Sequence, residues 1–255
     1  MNDPIIVIGT GEMAGVFSRG LLKQGHPIIP VTRQMDMEQV AAAAPQPLLV
    51  LVTVGESDLQ AVLAQIPAAW RGRLGLLQNE LLPRDWQAHD IDNPTVIAVW
   101  FEKKKGQDYK VLVPSPVYGP AAPIIERALE SLDIPVWELQ SAAELTFELV
   151  RKNVYILTTN IAGLALPAGT DVDALWNTHQ ALACEVADEV MDIQFKLIGA
   201  ELERGRLIAG MVDGIQGDRQ HQCMGRSAPA RLARAIQHAD EFGLAVPRLR
   251  AIAPM

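Results

Sequence analysis

Residues 5–24 constrain this chain more than any other segment. Ile5-Ile6-Val7-Ile8 is apolar without alternation, which predicts a strand buried on both faces, as in a parallel sheet. It runs straight into Gly9-Thr10-Gly11-Glu12-Met13-Ala14, a G-x-G-x-x-A turn. Met13, Val16, Phe17 and Leu21 then recur at helical spacing, and Gly25 reads as the C-cap. The pattern carries meaning in this order of strand, glycine turn and helix. Gly9 permits the tight turn, Gly11 lets a pyrophosphate approach the backbone, and Ala14 lets the helix pack closely on the strand. The N–H groups that open the helix then suit phosphate oxygens. The same residues also suit a plain glycine turn in an unliganded α/β domain.

The rhythm continues downstream. Strands are predicted over 28–32, 48–53, 74–78 and 95–101, with further strands at Lys110–Val113 and Ile134–Glu138. Helices are predicted over 12–24, 36–43, 57–66 and 121–132. This alternation gives an α/β fold, a doubly wound Rossmann-type sheet with helices on both faces. After residue 140 strand signals stop, and helices are predicted over 142–165, 171–202 and 229–242, with breaks at Pro167–Asp171 and Gly214–Gly225. The reading therefore divides the chain into a dinucleotide-binding domain, 1–140, and an all-helical substrate or dimerisation domain, 141–255.

Charge and composition exclude several classes. With 22 basic and 30 acidic residues among 255, the net charge is −8, unlike a basic nucleic-acid-binding chain. Lys103, Lys104 and Lys105 form the one basic run and read as a solvated turn. No apolar run approaches the roughly 18 residues of a membrane-spanning helix, and the first apolar run is too short for a secretory signal. Two cysteines, Cys184 and Cys223, make no disulfide framework, so a cytoplasmic location is expected. The five histidines show no helical metal-ligand spacing, and His221 with Cys223 lacks a second cluster, so no metal site is expected. Arg204, Arg206, Arg231 and Arg234 read as solvated helix faces, and Trp100 and Phe101 as core residues at a strand end.

Two further places bear on chemistry. The second strand ends Val31-Thr32-Arg33, with no acid until Asp36. A site for NAD normally places a carboxylate there for the ribose 2′-hydroxyl, whereas a guanidinium pairs with a 2′-phosphate. Thr32 and Arg33 therefore point to NADP(H), unless Arg33 is simply a surface residue. In the helical half, Leu145, Leu149, Lys152, Ile156, Asn160 and Gly163 share one helical stripe. A lysine and an amide on that stripe need partners, which a ligand cavity can supply. The stripe equally accommodates a lysine at its edge, reaching water and paired with Glu148.

With Ile5-x-Val7-Ile8-Gly9-Thr10-Gly11-Glu12-Met13-Ala14, Leu77-Gln78-Asn79, Arg151-Lys152-Asn153 with Asn160, and Phe242-Gly243-Leu244-Ala245-Val246-Pro247, the chain resembles the ketopantoate reductase family. That family lies within the wider group sharing the 6-phosphogluconate dehydrogenase C-terminal fold. The resemblance implies NADPH-dependent reduction of a 2-keto acid. It implies that Lys152 donates a hydrogen bond and then a proton to the substrate carbonyl oxygen. Asn79 would lie between nicotinamide and substrate, and Asn160 would hold a substrate polar group. Thr53, Val54 and Gln78, at neighbouring strand ends, complete the cofactor-binding candidates. The resemblance further implies a substrate cleft between the domains and a dimer through the helical half. Glu12-Met13-Ala14 also looks like pyrroline-5-carboxylate reductase, whose Ser-Gly-Ser-Gly-Pro run is missing here.

The chain departs from the family pattern where substrate binds. The family glutamate position falls on Ser227 or Ala228, and Asp213 falls near a substrate-binding serine. Ile156 replaces an asparagine, Gly55-Glu56 replaces a lysine after the third strand, and Asn79 is followed by Glu80 rather than glycine. These changes point away from ketopantoate, toward a neutral or cationic carbonyl or imine. The alternative is a non-catalytic NADP(H)-binding or sensor protein.

Overall fold

The computed structural model describes residues 3–253. They divide into two compact units, one ending at Glu148 and one beginning at Leu149. In the first unit, β1 (Ile5–Ile8) leads to α1 (Glu12–Lys23), β2 (Ile28–Val31), α2 (Met37–Ala43), β3 (Leu49–Val52) and α3 (Leu59–Leu63). A 3-10 turn at Ala68–Arg73 precedes β4 (Leu74–Leu76), α4 (Pro83–Gln87), β5 (Thr95–Ile97), β6 (Phe101–Lys103) and β7 (Tyr109–Val111). Then come β8 (Ser115–Tyr118), α5 (Ala122–Glu130), β9 (Val136–Glu138) and α6 (Ala142–Gly163), within which the units divide.

The main sheet has the order β2-β1-β3-β4-β5-β8-β9. The first five strands are parallel, β8 runs antiparallel to β5, and β9 follows β8 in parallel. Every residue of β1 and β3 is buried, as their unbroken apolar runs require. On one face Phe17 and Leu21 of α1 and Ile125 and Leu129 of α5 pack over Ile5, Val7, Leu49 and Leu51. The two helices cross so closely that a Cβ on Gly20 would overlap the Ala128 carbonyl. This is a backbone-to-backbone approach that only glycine allows. The fold is thus the doubly wound sheet expected, followed by helices.

Several elements differ from the sequence reading. The strand expected over 95–101 leaves the sheet early: Ser115 Oγ accepts the Trp100 N–H at 2.9 Å. Phe101 then starts a separate hairpin, β6–β7. Strand β8 was hidden by Pro116, which removes a ladder donor and reads as a non-strand residue.

The second unit contains the rest of α6 with α7 (Val172–Thr178), α8 (Gln180–Ile198), α9 (Arg204–Gly217), α10 (Ala228–Glu241) and α11 (Pro247–Ile252). The single helix expected over 171–202 breaks at His179, after Asn177 and Thr178, both weak helix formers. Helix α9 passes through Gly214, where a break is expected, because its glycines answer packing. Gly210 faces the Arg151 side chain, which a Cβ there would overlap. The Glu203 carboxylate caps α9 at the N–H groups of Gly205 and Arg206. The Glu189 carboxylate accepts the N–H groups of Arg248 and Leu249, each at 2.8 Å, tying α11 to α8. No helix among the described residues is long and apolar enough to cross a membrane.

Candidate functional site

The glycine turn is clamped from the neighbouring strand. Gly9 has φ +96°, and a Cβ there would lie 3.0 Å from Thr53 Oγ1. The same hydroxyl donates to the Ile8 carbonyl at 2.9 Å and lies 3.3 Å from that of Gly9. Thr53 thus fixes the turn from the end of β3. Gly11 is the N-cap of α1, with no side-chain cap, and a Cβ on it would meet nothing within 4 Å. Ala14 is buried, as close packing of helix on strand demands. Above the turn opens a cleft of about 810 Å³, bordered by Thr10, Gly11, Thr32, Arg33 and Val54. It lies at the carboxyl ends of β1, β2 and β3, where the strand order reverses on either side of β1. Ligands of open α/β sheets bind at such switch points.

At the cleft's rim Thr32 is half-buried and Arg33 exposed. The nearest acid in sequence, Asp36, accepts the Glu38 N–H at 2.9 Å as the cap of α2. Met35, Met37 and Val62 supply apolar wall, and Asp58 the one carboxylate among the described lining residues.

A second cleft of about 290 Å³ adjoins the first across Thr53, Val54 and Gly55. Met13, Gln78 and Asn79 line it. The Gln78 amide donates to the carbonyls of Val52 at 2.7 Å and Val54 at 3.2 Å, so this side chain shapes the end of β3. Asn79 is half-buried at the cleft wall. Glu80 follows it with φ +62°, the left-handed conformation that glycine adopts most readily. Lys103 lines this cleft too, so it is not the solvated tip expected of the lysine run. Its ammonium lies 3.4 Å from the Glu12 carboxylate.

In the second unit, α6 is buried nearly all round. Lys152 is 4% exposed, which removes the reading in which it reaches water. Glu148, one turn before it, is buried as well. Asn160 Oδ1 accepts the Arg231 guanidinium at 2.7 Å, and both groups are buried. Arg231 is therefore not on a solvated face; it lies in the apolar stripe of α10 with Ala228, Leu232 and Ala235. That spacing was present in the sequence and was the signal available for finding it. The Asn153 amide donates to buried Gln194 on α8 at 2.9 Å. Arg151 pairs with Asp213 at 3.3 Å. Ser227 and Ala228 open α10. Burial, and then the charge of Asp171, push the Cys223 thiol up to about 12, so it stays protonated at neutral pH.

A glycine turn under a switch-point cleft, on a mainly parallel sheet followed by helices, defines a doubly wound α/β fold with a helical C-terminal region. Three solved structures are similar over nearly their whole length. A PanE/ApbA family ketopantoate reductase from Ralstonia eutropha JMP134 is 16% identical, covering 97% of this chain and 95% of that one, with a TM-score of 0.67. A 2-dehydropantoate 2-reductase from Methylococcus capsulatus is 15% identical over 98% and 94%, with a TM-score of 0.64. A D-mandelate dehydrogenase in complex with NADH is 12% identical over 98% and 96%, with a TM-score of 0.66. Identities this low establish a shared fold, and the fold is the one the resemblance implies. No family model matches the chain, and no curated protein matches it.

Proposed function

We propose that this protein is an NADPH-dependent reductase of a small carbonyl compound. The observation that carries the reading is the cleft of about 810 Å³ over Gly9 and Gly11, with Arg33 at its rim and Asp36 engaged in a helix cap. The backbone from Gly9 to Ala14 receives the pyrophosphate, since the α1 N-terminus offers N–H groups and positive dipole to an anion. Thr32 and Arg33 take the 2′-phosphate, and Thr53, Val54, Gln78 and Asn79 border the nicotinamide. The dinucleotide, when bound, supplies a hydride. Lys152 then donates a proton to the carbonyl oxygen, where hydride arrival at carbon concentrates negative charge. Asn160 orients a polar substrate group. The two similar ketopantoate reductases and the NADH complex of the dehydrogenase support the reaction class. The departures at Ser227 and Ala228 favour a neutral or cationic carbonyl or imine over ketopantoate. Dimerisation through the helical half belongs to the same proposal.

A second reading, a non-catalytic NADP(H) sensor, rests on the lack of any carboxylate at Ser227 and Ala228. Calorimetric titration with NADPH and NADH tests both readings. Tight NADPH and weak NADH binding is the expected result, and binding of neither sinks both. Stereospecific hydride transfer from bound NADPH to a screened carbonyl compound then excludes the sensor.

A further inference from the structure

We propose that Lys103, on the β6–β7 hairpin, is a pyrophosphate-binding residue that Glu12 holds in place until the dinucleotide arrives. The proposal rests on reading the glycine-turn cleft as a dinucleotide site. It adds a cationic side chain from outside the glycine turn to the backbone N–H groups that open α1.

The chain carries a net charge of −8, and Glu12 places a carboxylate on the first turn of α1, at the mouth of the phosphate loop. The cleft of about 290 Å³ next to it is lined by two more carboxylates, Glu56 and Glu102. A pyrophosphate over the glycine turn lies beside the Glu12 carboxylate, and that like charge weakens binding unless a cation offsets it. Lys103 is the one cation among the described residues lining that cleft. It also lines a third cleft of about 330 Å³, together with Thr10, Gly11 and Glu12, a second cation, Arg19, and Asp108. Lys103 therefore stands where these two spaces meet, beside the start of α1.

Its surroundings are prepared. The Lys103 side chain is only 20% exposed, unlike a lysine on a free loop. Its ammonium donates to the Lys104 carbonyl at 3.1 Å and to the Gln107 carbonyl, so the hairpin's own turn fixes its direction. The contact left for exchange is the 3.4 Å pair with Glu12, whose side chain is 44% exposed. A pair this accessible to water contributes little stability, so exchanging its carboxylate for a phosphate oxygen costs little. Glu102, the residue before, is matched by Lys104 at 3.0 Å and does not compete for Lys103.

The test uses the full chain with ADP-ribose, NADPH and NADH as calorimetric probes. ADP-ribose keeps the pyrophosphate and lacks both nicotinamide and 2′-phosphate. Lys103→Met is expected to weaken all three by a similar factor, on the order of tenfold, as loss of one charge-assisted contact does. Lys103→Arg is expected to retain most of the affinity, and its melting temperature checks that the hairpin is intact. Parental ADP-ribose binding by Lys103→Met overturns the proposal, as does a loss confined to NADPH or to the nicotinamide-bearing ligands. If the hairpin proves intolerant of methionine, Glu12→Gln decides. Freeing the ammonium and removing the carboxylate is expected to tighten ADP-ribose binding by a few-fold in the Lys103 background. That gain is expected to shrink in Lys103→Gln/Glu12→Gln, where there is no ammonium to free, and an equal gain in both backgrounds overturns the proposal. A parent that binds none of the three probes fails the dinucleotide reading itself, a result distinct from failure of the role given to Lys103.

Discussion

Around Gly9 the chain shapes its candidate site from backbone, while along α6 it does so with side chains already buried against one another. The glycine turn presents open space at Gly11 and a clamped turn at Gly9. Helix α6 presents Lys152 at 4% exposure and Asn160 bonded to Arg231. The first arrangement is held by backbone and by Thr53 alone. The second is packed polar structure in which a functional role and a structural role overlap. Substitutions should therefore separate binding from folding in the first unit and mix activity with folding in the second.

The largest expected effect is on chemistry in α6. Lys152→Ala should lower turnover of a true substrate by about 10²–10⁴-fold, the usual contribution of a positioned proton donor, while NADPH affinity in calorimetry stays near parental. Turnover within a few-fold of the parent would remove Lys152 from the mechanism. Next comes a contrast between two glycines of α1. Gly20→Ala should destabilise the protein by about 2–3 kcal/mol in urea melts, because the added Cβ meets backbone of α5. Gly11→Ala should leave the melt unchanged and weaken NADPH binding, because its Cβ enters the space a phosphate needs. Equal effects on both measurements would erase the distinction between the two regions.

Smaller effects sharpen it. Asn160→Ala removes an acceptor of a buried guanidinium and should cost about 1–3 kcal/mol in the same melts, so its activity must be read at matched folded fraction. Arg33→Ala should weaken NADPH about tenfold and leave NADH unchanged, since only the 2′-phosphate contact is lost. Equal losses for both dinucleotides would place Arg33 elsewhere. Glu80→Gly should be neutral or stabilising by up to about 1 kcal/mol, because glycine relieves the positive φ at that position.

What could be read from the sequence follows the range of the interactions. The strand, turn and helix from Ile5 to Lys23 are local: apolar runs, glycines and a 3.6-residue period specify them without help. The capping of α2 by Asp36 is local too. Strand β8 was not legible, because Pro116 argues against a strand until neighbours on both sides hold it. Helix α9 was obscured by glycines whose reason lies on another helix, where Arg151 covers Gly210.

The same division holds for the sites. Sequence alone determined the glycine turn, the basic residue that follows β2 and the placing of Lys152 and Asn160 on one helix, since each depends on residues within a few turns of one another. Only the tertiary structure decided that Arg231 is buried against Asn160, 71 positions away. It alone brought Lys103 from a hairpin to Glu12 at the start of α1. Charges behave this way for a physical reason: a long cationic side chain suits water and a paired interior equally well, and which it meets depends on groups distant in the chain.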